Sequence, residues 1–192
     1  PGIHFLPETV MRRKNLGFDL IGLTGPARCG KDSAAKILVE RYGFKQYSLA
    51  SPIKKMLKAI DINCNDSEKE IPLERFGGKT PRQLMQSLGT EWGRSISDSL
   101  WLQFLLQEYE WVKRENYSGL VVSDIRFSNE CDFIRENGVL IHISRPGVSH
   151  TNKHASDKPL LPKTGDFFIN NDHTAAFLGK QINDYMNLRD GQ

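Results

Sequence analysis

The chain has 192 residues, of which 39% are hydrophobic and 26% charged, with a formal net charge of +3. That is the composition of one globular domain with a full core. No apolar run is long enough to cross a bilayer, and three cysteines without a Cys-x-x-Cys pair suggest neither a zinc knuckle nor a disulfide framework. The expectation is a cytoplasmic protein without a signal peptide, a membrane partner or a stable nucleic-acid partner, since so small a charge does not argue for one.

Residues 1–17 carry Arg12-Arg13-Lys14 without periodicity and read as an N-terminal extension with a solvated basic patch. The apolar run Leu20-Ile21-Gly22-Leu23 predicts a first strand. It runs into Gly25-Pro26-Ala27-Arg28-Cys29-Gly30-Lys31-Asp32-Ser33 and then a helical pattern whose buried face is Ala34, Ala35, Leu38 and Val39, closed by Gly43. Strand, Gly-x-x-x-x-Gly-Lys and helix together specify a phosphate-binding loop. Its glycines let successive N–H groups point inward, and the helix aims its positive dipole end at the same point. Lys31 then reaches the outer phosphates. The position after the lysine, usually Ser or Thr facing the magnesium ion, is Asp32. Either its carboxylate helps hold the metal or Ser33 supplies the hydroxyl.

Phe44–Leu49 reads as a second strand. Ser51-Pro52 signals a cap and a first helical proline, with Ile53, Met56, Leu57 and Ile60 on one face of the helix it opens. Residues 61–79 form a polar stretch longer than an ordinary connection, hence mobile or functional. Thr80-Pro81 opens a helix through Leu84, Met85 and Leu88 that is expected to stop near Gly89. Asp98 is expected to cap another, in which Trp101, Phe104, Leu105, Trp111 and Val112 follow helical spacing, with both tryptophans in the core.

Leu120-Val121-Val122-Ser123-Asp124 predicts a strand ending in a carboxylate. Its helix, about 129–137, closes at Asn137-Gly138, and a strand follows at 139–144. Residues 145–165 have no core pattern and read as a lid. Phe167–Ile169 and a helix bearing Ala175, Leu178, Ile182 and Tyr185 complete the chain. Apolar strands alternating with helices predict an α/β fold, a doubly wound parallel sheet covered on both faces.

Ligands in such a sheet sit beyond the carboxyl ends of the strands. There the sequence places the phosphate loop, then Ser48 and Lys54, then Asp124 with Arg126, and then Arg145. No Glu follows Asp124 to activate water as in hydrolysing ATPases. Asn152-Lys153-His154-Ala155 lacks the carboxylate that reads guanine. His150 and His154 have no third ligand and are assigned no metal. Transfer to an acceptor that is itself a phosphate needs positioning and positive charge rather than base chemistry. Arg82, Arg94, Arg126 and Arg145 suit that task. On the helix opened at Pro81, Arg82 and Gln86 share a face that is expected to hold acceptor phosphate and base. Trp92 and Arg94 would follow a turn at Gly89, the ring stacking on a base or joining the core, the guanidinium gripping phosphate bidentately. Glu130 caps its own helix, orients Arg126 or touches substrate.

Three segments, 22–33, Thr-Pro-Arg-Gln-Leu-Met-Gln-Ser-Leu-Gly-Thr-Glu-Trp-Gly-Arg at 80–94, and Ser-Asp-Ile-Arg-Phe-Ser-Asn-Glu at 123–130, carry a resemblance to the deoxynucleoside monophosphate kinases of tailed bacteriophages. The resemblance spans about 18–188. It implies one P-loop nucleoside monophosphate kinase domain with a five-stranded sheet, a helical acceptor-binding region at about 52–115 and a short lid. It also implies ATP with Mg2+ as donor and a deoxynucleoside 5'-monophosphate as acceptor, in an infected bacterial cell if the chain is phage-encoded. On that reading Gly25, Arg28, Cys29, Gly30, Lys31, Asp32 and Ser33 bind the donor. Lys31, Asp124, Arg126 and Arg145 serve transfer, with Asp32, Ser33 and Asp124 toward the metal. Ser48, Lys54, Arg82, Gln86, Trp92, Arg94 and Glu130 face the acceptor. Two alternatives stay open: a small kinase for another phosphorylated metabolite, of dephospho-coenzyme A or phosphomevalonate type, and a nucleotide-binding regulatory or nucleic-acid-handling ATPase. Whether the chain works as a monomer or a homodimer is also open.

Overall fold

The computed structural model describes residues 19–149, 158–172 and 174–190. Five strands, β1 (Asp19–Thr24), β2 (Phe44–Tyr47), β3 (Gly119–Val122), β4 (Val139–Ser144) and β5 (Phe167–Asn170), form one sheet in the order β2-β3-β1-β4-β5 with every pairing parallel. Adjacent residues of the central strands point to opposite faces, and here both faces are apolar. Leu20, Leu120 and Leu140 join one core layer while Ile21, Val121 and Ile141 join the other. The first layer is covered by α2 (Ser51–Lys58), α5 (Leu100–Val112) and α6 (Ser128–Asn137), the second by α1 (Lys31–Tyr42) and α7 (Ala175–Asp190). This is the expected doubly wound α/β architecture.

The strand β2 is shorter than expected, and its chain end leads to α2 through Ser48–Ala50. Ser51 is the first residue of α2 rather than its cap, which is Ala50. The amides of Leu49 and Ala50, just before the helix, are satisfied by the Asp124 carboxylate and, for Ala50, also by the Ser48 hydroxyl. Ile53 and Leu57 are buried as the pattern requires, whereas Met56 and Ile60 lie exposed. The polar stretch 61–79 folds onto itself. Leu73 and Lys79 form an antiparallel bridge around a 3₁₀ turn (Glu74–Phe76), and Arg75 donates to the carbonyls of Ile60 and Asp61.

The helix opened at Pro81 departs most from expectation. It begins as read, with a reciprocal Thr80–Gln83 capping box. It does not stop at Gly89. After α3 (Pro81–Gln86) the chain continues through a π-helical run (Ser87–Trp92) into α4 (Gly93–Ile96) and turns only at Ser97. The buried Trp101 ring explains the detour. Its Nε1 donates to the Gly89 carbonyl at 2.7 Å, taking an acceptor out of the regular ladder, and its ring lies so close to Gly93 that any Cβ there would sit 2.4 Å from it. Ser99, not Asp98, caps α5. Trp101 is core, but Trp111 is 44% exposed, with the Lys45 ammonium 5.9 Å from its ring centre.

Gly138 ends α6 for a reason other than a left-handed cap. Its φ is −173°, and a Cβ would meet the Leu20 carbonyl oxygen at 1.9 Å, so the residue lets helix and sheet join without a spacer. Of the expected lid, 150–157 lies outside the described residues, as do the N-terminal extension, His150 and His154. The segment that follows is tied to α6. Lys163 Nζ reaches Asp132 at 2.8 Å, Arg135 donates to the Leu161 carbonyl, and Leu160 packs on the core. No helix among the described residues is long and apolar enough to cross a membrane.

Candidate active site

At the carboxyl end of β1 the chain must reverse within six residues to start α1. Gly25 takes φ +139° where a Cβ would lie 2.1 Å from the Ile143 carbonyl oxygen, and Gly30, the N-cap of α1, takes φ +112° against the Asn171 amide. Arg28, exposed in the loop, is held at φ 65° without being glycine. Lys31 folds its ammonium back over the loop, 2.7 Å from the carbonyl oxygens of both Gly25 and Pro26 and 3.8 Å from Cys29 Sγ. Burial draws the ammonium below the ordinary lysine value, and the Arg126 charge acts in the same sense. Cys29 is fully buried and burial pushes its thiol up, which fits a packing role. Asp32 and Ser33 are exposed on the first turn of α1.

Asp124 follows β3 and reaches across to the end of β2. One carboxylate oxygen accepts from the Leu49 amide at 2.8 Å, the other from the Ser48 hydroxyl at 2.6 Å and the Ala50 amide at 3.1 Å. Ser48 and Asp124 are therefore brought together, and α2 starts from their contact. Nearby, burial together with the Glu108 and Asp124 charges pushes the Tyr47 phenol up to about 12. Arg126 is exposed just beyond.

The residues expected at the acceptor divide. Gln86 is half-buried and Trp92 is 45% exposed, so its ring face is accessible. Arg82 is ion-paired with Glu70, and its backbone amide donates to the Lys69 carbonyl, which anchors the helix to the polar stretch. Arg94 does not follow a turn and does not point outward. Its Nη2 donates to Glu130 at 2.5 Å and its Nη1 to the Asp98 carbonyl at 3.0 Å, while the guanidinium lies 3.5 Å over the Phe127 ring. Lys54 is exposed on α2, and its charge acts on Cys64 and Asp66 of the polar stretch. Arg145 is exposed immediately after β4.

Glu130 is 3% exposed. Besides Arg94, it accepts from the amides of Arg126 at 2.8 Å and Phe127 at 3.1 Å, so it does cap its own helix. Burial pushes its carboxyl up to about 7, against the pull of those amides and of Arg94. A carboxyl raised above its unfolded value favours the fold below that unfolded value, and the contribution is lost as pH rises through the folded one. Replacing Glu130 by Gln is expected to flatten the fall in melting temperature between about pH 5 and about pH 8 relative to the wild type, measured by circular dichroism. An unchanged slope would remove this assignment.

Two residues escaped sequence reading. Asn171, buried just after β5, donates to the Cys29 carbonyl at 2.9 Å while its own amide donates to the Ser144 carbonyl, locking the phosphate loop to the sheet. Asp166 accepts from Arg135 Nε at 2.9 Å and Nη2 at 2.7 Å, from the Lys163 amide, and pairs with His142 Nε2 at 2.8 Å. Nothing in the sequence near either residue signals its distant partner.

Hard oxygen donors at Asp32, Ser33 and Asp124 suit a magnesium ion held mainly by nucleotide phosphates. Among the described residues no group of three or more His, Cys, Asp or Glu side chains is placed to hold a metal ion.

Residues 19–80 and 79–182 match the family described as deoxynucleotide monophosphate kinase. A protein of Acanthamoeba polyphaga mimivirus bearing that family name is 34% identical, covering 85% of this chain and 93% of its own. The deoxynucleotide monophosphate kinase of Enterobacteria phage T4 is 25% identical, covering 85% and 96% respectively. Among solved structures, a dephospho-CoA kinase from Campylobacter jejuni aligns over 89% of this chain and 96% of its own at 15% identity, with a TM-score of 0.46.

Proposed function

Because the chain belongs to the deoxynucleotide monophosphate kinase family, we propose how its residues phosphorylate a deoxynucleoside 5'-monophosphate to the diphosphate at the expense of ATP. The phosphate loop between β1 and α1 takes the donor, its amides and the α1 dipole facing the phosphates. Lys31 leaves the Gly25 and Pro26 carbonyls, where it rests at 2.7 Å, for the outer phosphate oxygens, gaining ionic partners in place of neutral ones. Arg126 neutralises the charge that spreads over the transferring group, and Arg145, exposed just after β4, adds to it. A magnesium ion brought with the nucleotide would supply charge neutralisation, and the residues to hold it would be Asp32 or Ser33 on α1 and Asp124, whose oxygens already serve Ser48, Leu49 and Ala50.

The observation that carries this reading is the phosphate-loop geometry, with Gly25 and Gly30 at positive φ and Lys31 folded over the Gly25 and Pro26 carbonyls, together with the Glu130 contacts that tie the Arg126 amide to Arg94 of α4. Of the residues expected at the acceptor, Trp92 and Gln86 keep accessible polar or aromatic surface, so they are assigned the base. Trp92→Ala is expected to raise the Michaelis constant for the monophosphate about tenfold, as loss of one base-stacking contact would, while that for ATP stays within about twofold. A coupled assay over a panel of monophosphates measures both constants. A change confined to ATP would move the acceptor site elsewhere.

A further inference from the structure

Arg94 and Glu130 are both removed from solvent, yet neither belongs to the core layers. Their contacts join two parts of the molecule that chain order keeps apart. On one side stands α4, the end of the long helix that carries Gln86 and Trp92. On the other stands the loop from Asp124 to Phe127 that carries Arg126. Glu130 divides its two oxygens between them, Oε1 toward Arg94 Nη2, Oε2 toward the backbone amides of Arg126 and Phe127. Asn129 reinforces the join, donating to the same Asp98 carbonyl that Arg94 uses and accepting from Arg94 Nη1 at 3.3 Å.

We propose that Glu130 is a positioning residue for phosphoryl transfer, setting the Arg126 backbone against the acceptor-bearing helix through its ion pair with Arg94. The proposal rests on the role given to Arg126 above. A helix cap alone would need only the amide contacts on Oε2. The second oxygen is spent on a guanidinium from another element, and that guanidinium is itself pinned by stacking on Phe127 and by the Asp98 carbonyl. Its Nε is buried without a partner, a cost the fold accepts to keep the group here. Because the planar fork fixes direction as well as distance, a shift of the helix is transmitted to the loop at Arg126. Reacting groups misplaced by about 1 Å lose on the order of a hundredfold in rate.

The experiment is a double-mutant cycle on turnover, using the full chain, ATP and whichever of the four common deoxynucleoside monophosphates the wild type accepts best. Glu130→Gln is expected to lower kcat about tenfold or more with the Michaelis constant for ATP within about twofold, and in an Arg126→Ala background to lower it by less than about twofold. Such non-additivity places the effect through Arg126. A merely structural role would reduce activity equally in both backgrounds and follow the folded fraction measured by circular dichroism, and that result overturns the proposal. So does wild-type turnover in Glu130→Gln. If Glu130→Gln fails to fold, Arg94→Lys keeps the charge, removes the fork and enters the same cycle with the same expected outcome. Wild-type turnover in Arg126→Ala alone would overturn both this coupling and the role of Arg126, while leaving the monophosphate panel to judge the substrate class.

Discussion

Replacing Lys31 by Met is expected to lower phosphoryl transfer by about a thousandfold or more, the scale seen when a single cation is removed from a transferring phosphoryl group. Methionine keeps the apolar stem and its volume, so the fold should survive. The loss is not wholly catalytic, since the ammonium also clasps the Gly25 and Pro26 carbonyls at the loop's entry. Two part-buried acceptors then turn to water, at a cost of about 1–3 kcal/mol for each that fails to find it. Single-turnover kinetics by acid quench separate the effects, because loop loosening weakens ATP binding while loss of the cation slows the chemical step at saturating ATP. Retention of more than about a tenth of wild-type turnover would take Lys31 out of its assigned role.

The second large effect concerns stability. Asp166→Ala is expected to cost about 3 kcal/mol, the low end for breaking a buried ion pair, because Arg135 keeps Asp132 at 3.3 Å and the Leu161 carbonyl at 3.1 Å. The side chain is 1% exposed, and its loss leaves His142 and the Lys163 amide short of an acceptor. Burial alone would raise this carboxyl, but Arg135, the Lys163 amide and His142 together hold it well below the usual carboxylate range. A carboxyl depressed in this way stabilises the fold above its unfolded value, and the contribution is lost as pH falls toward its folded value. Urea unfolding should therefore show the gap between wild type and variant shrinking from about pH 5 to about pH 2. A gap that stays constant would mean that the loss comes from packing and not from charge.

How far the active site was legible in the sequence varies with the length of chain each feature needs. The phosphate loop, with Gly25, Gly30 and Lys31, lies within nine consecutive residues and depends on backbone conformation and one helix start. The helix start at Thr80-Pro81 is equally local and formed as read, with a Thr80–Gln83 capping box. The turn expected before Arg94 was misread because Gly89 looked like a stop. A glycine stops a helix when a left-handed residue is needed, and here Trp101, twelve positions on, holds the Gly89 carbonyl and keeps the chain helical. Trp111 was misread for a related reason. Helical spacing tells which residues share a face, but not that the buried face of α5 is Trp101, Leu105, Tyr109 and Val112.

The order of strands and helices, the two apolar faces of a parallel sheet and the loop that receives phosphate follow from the sequence by itself, because each rests on periodicity or on residues within one turn of each other. The tertiary structure alone decided that Asp124 holds Ser48 across 76 positions, that Asn171 locks Cys29 across 142, and that Glu130 takes Arg94 out of solvent across 36. Polar side chains in these places have several chemically adequate partners along the chain. Which one each meets is set by where the apolar layers bring the backbone, since a buried charge or amide must be satisfied by whatever donor or acceptor packing delivers within about 3 Å.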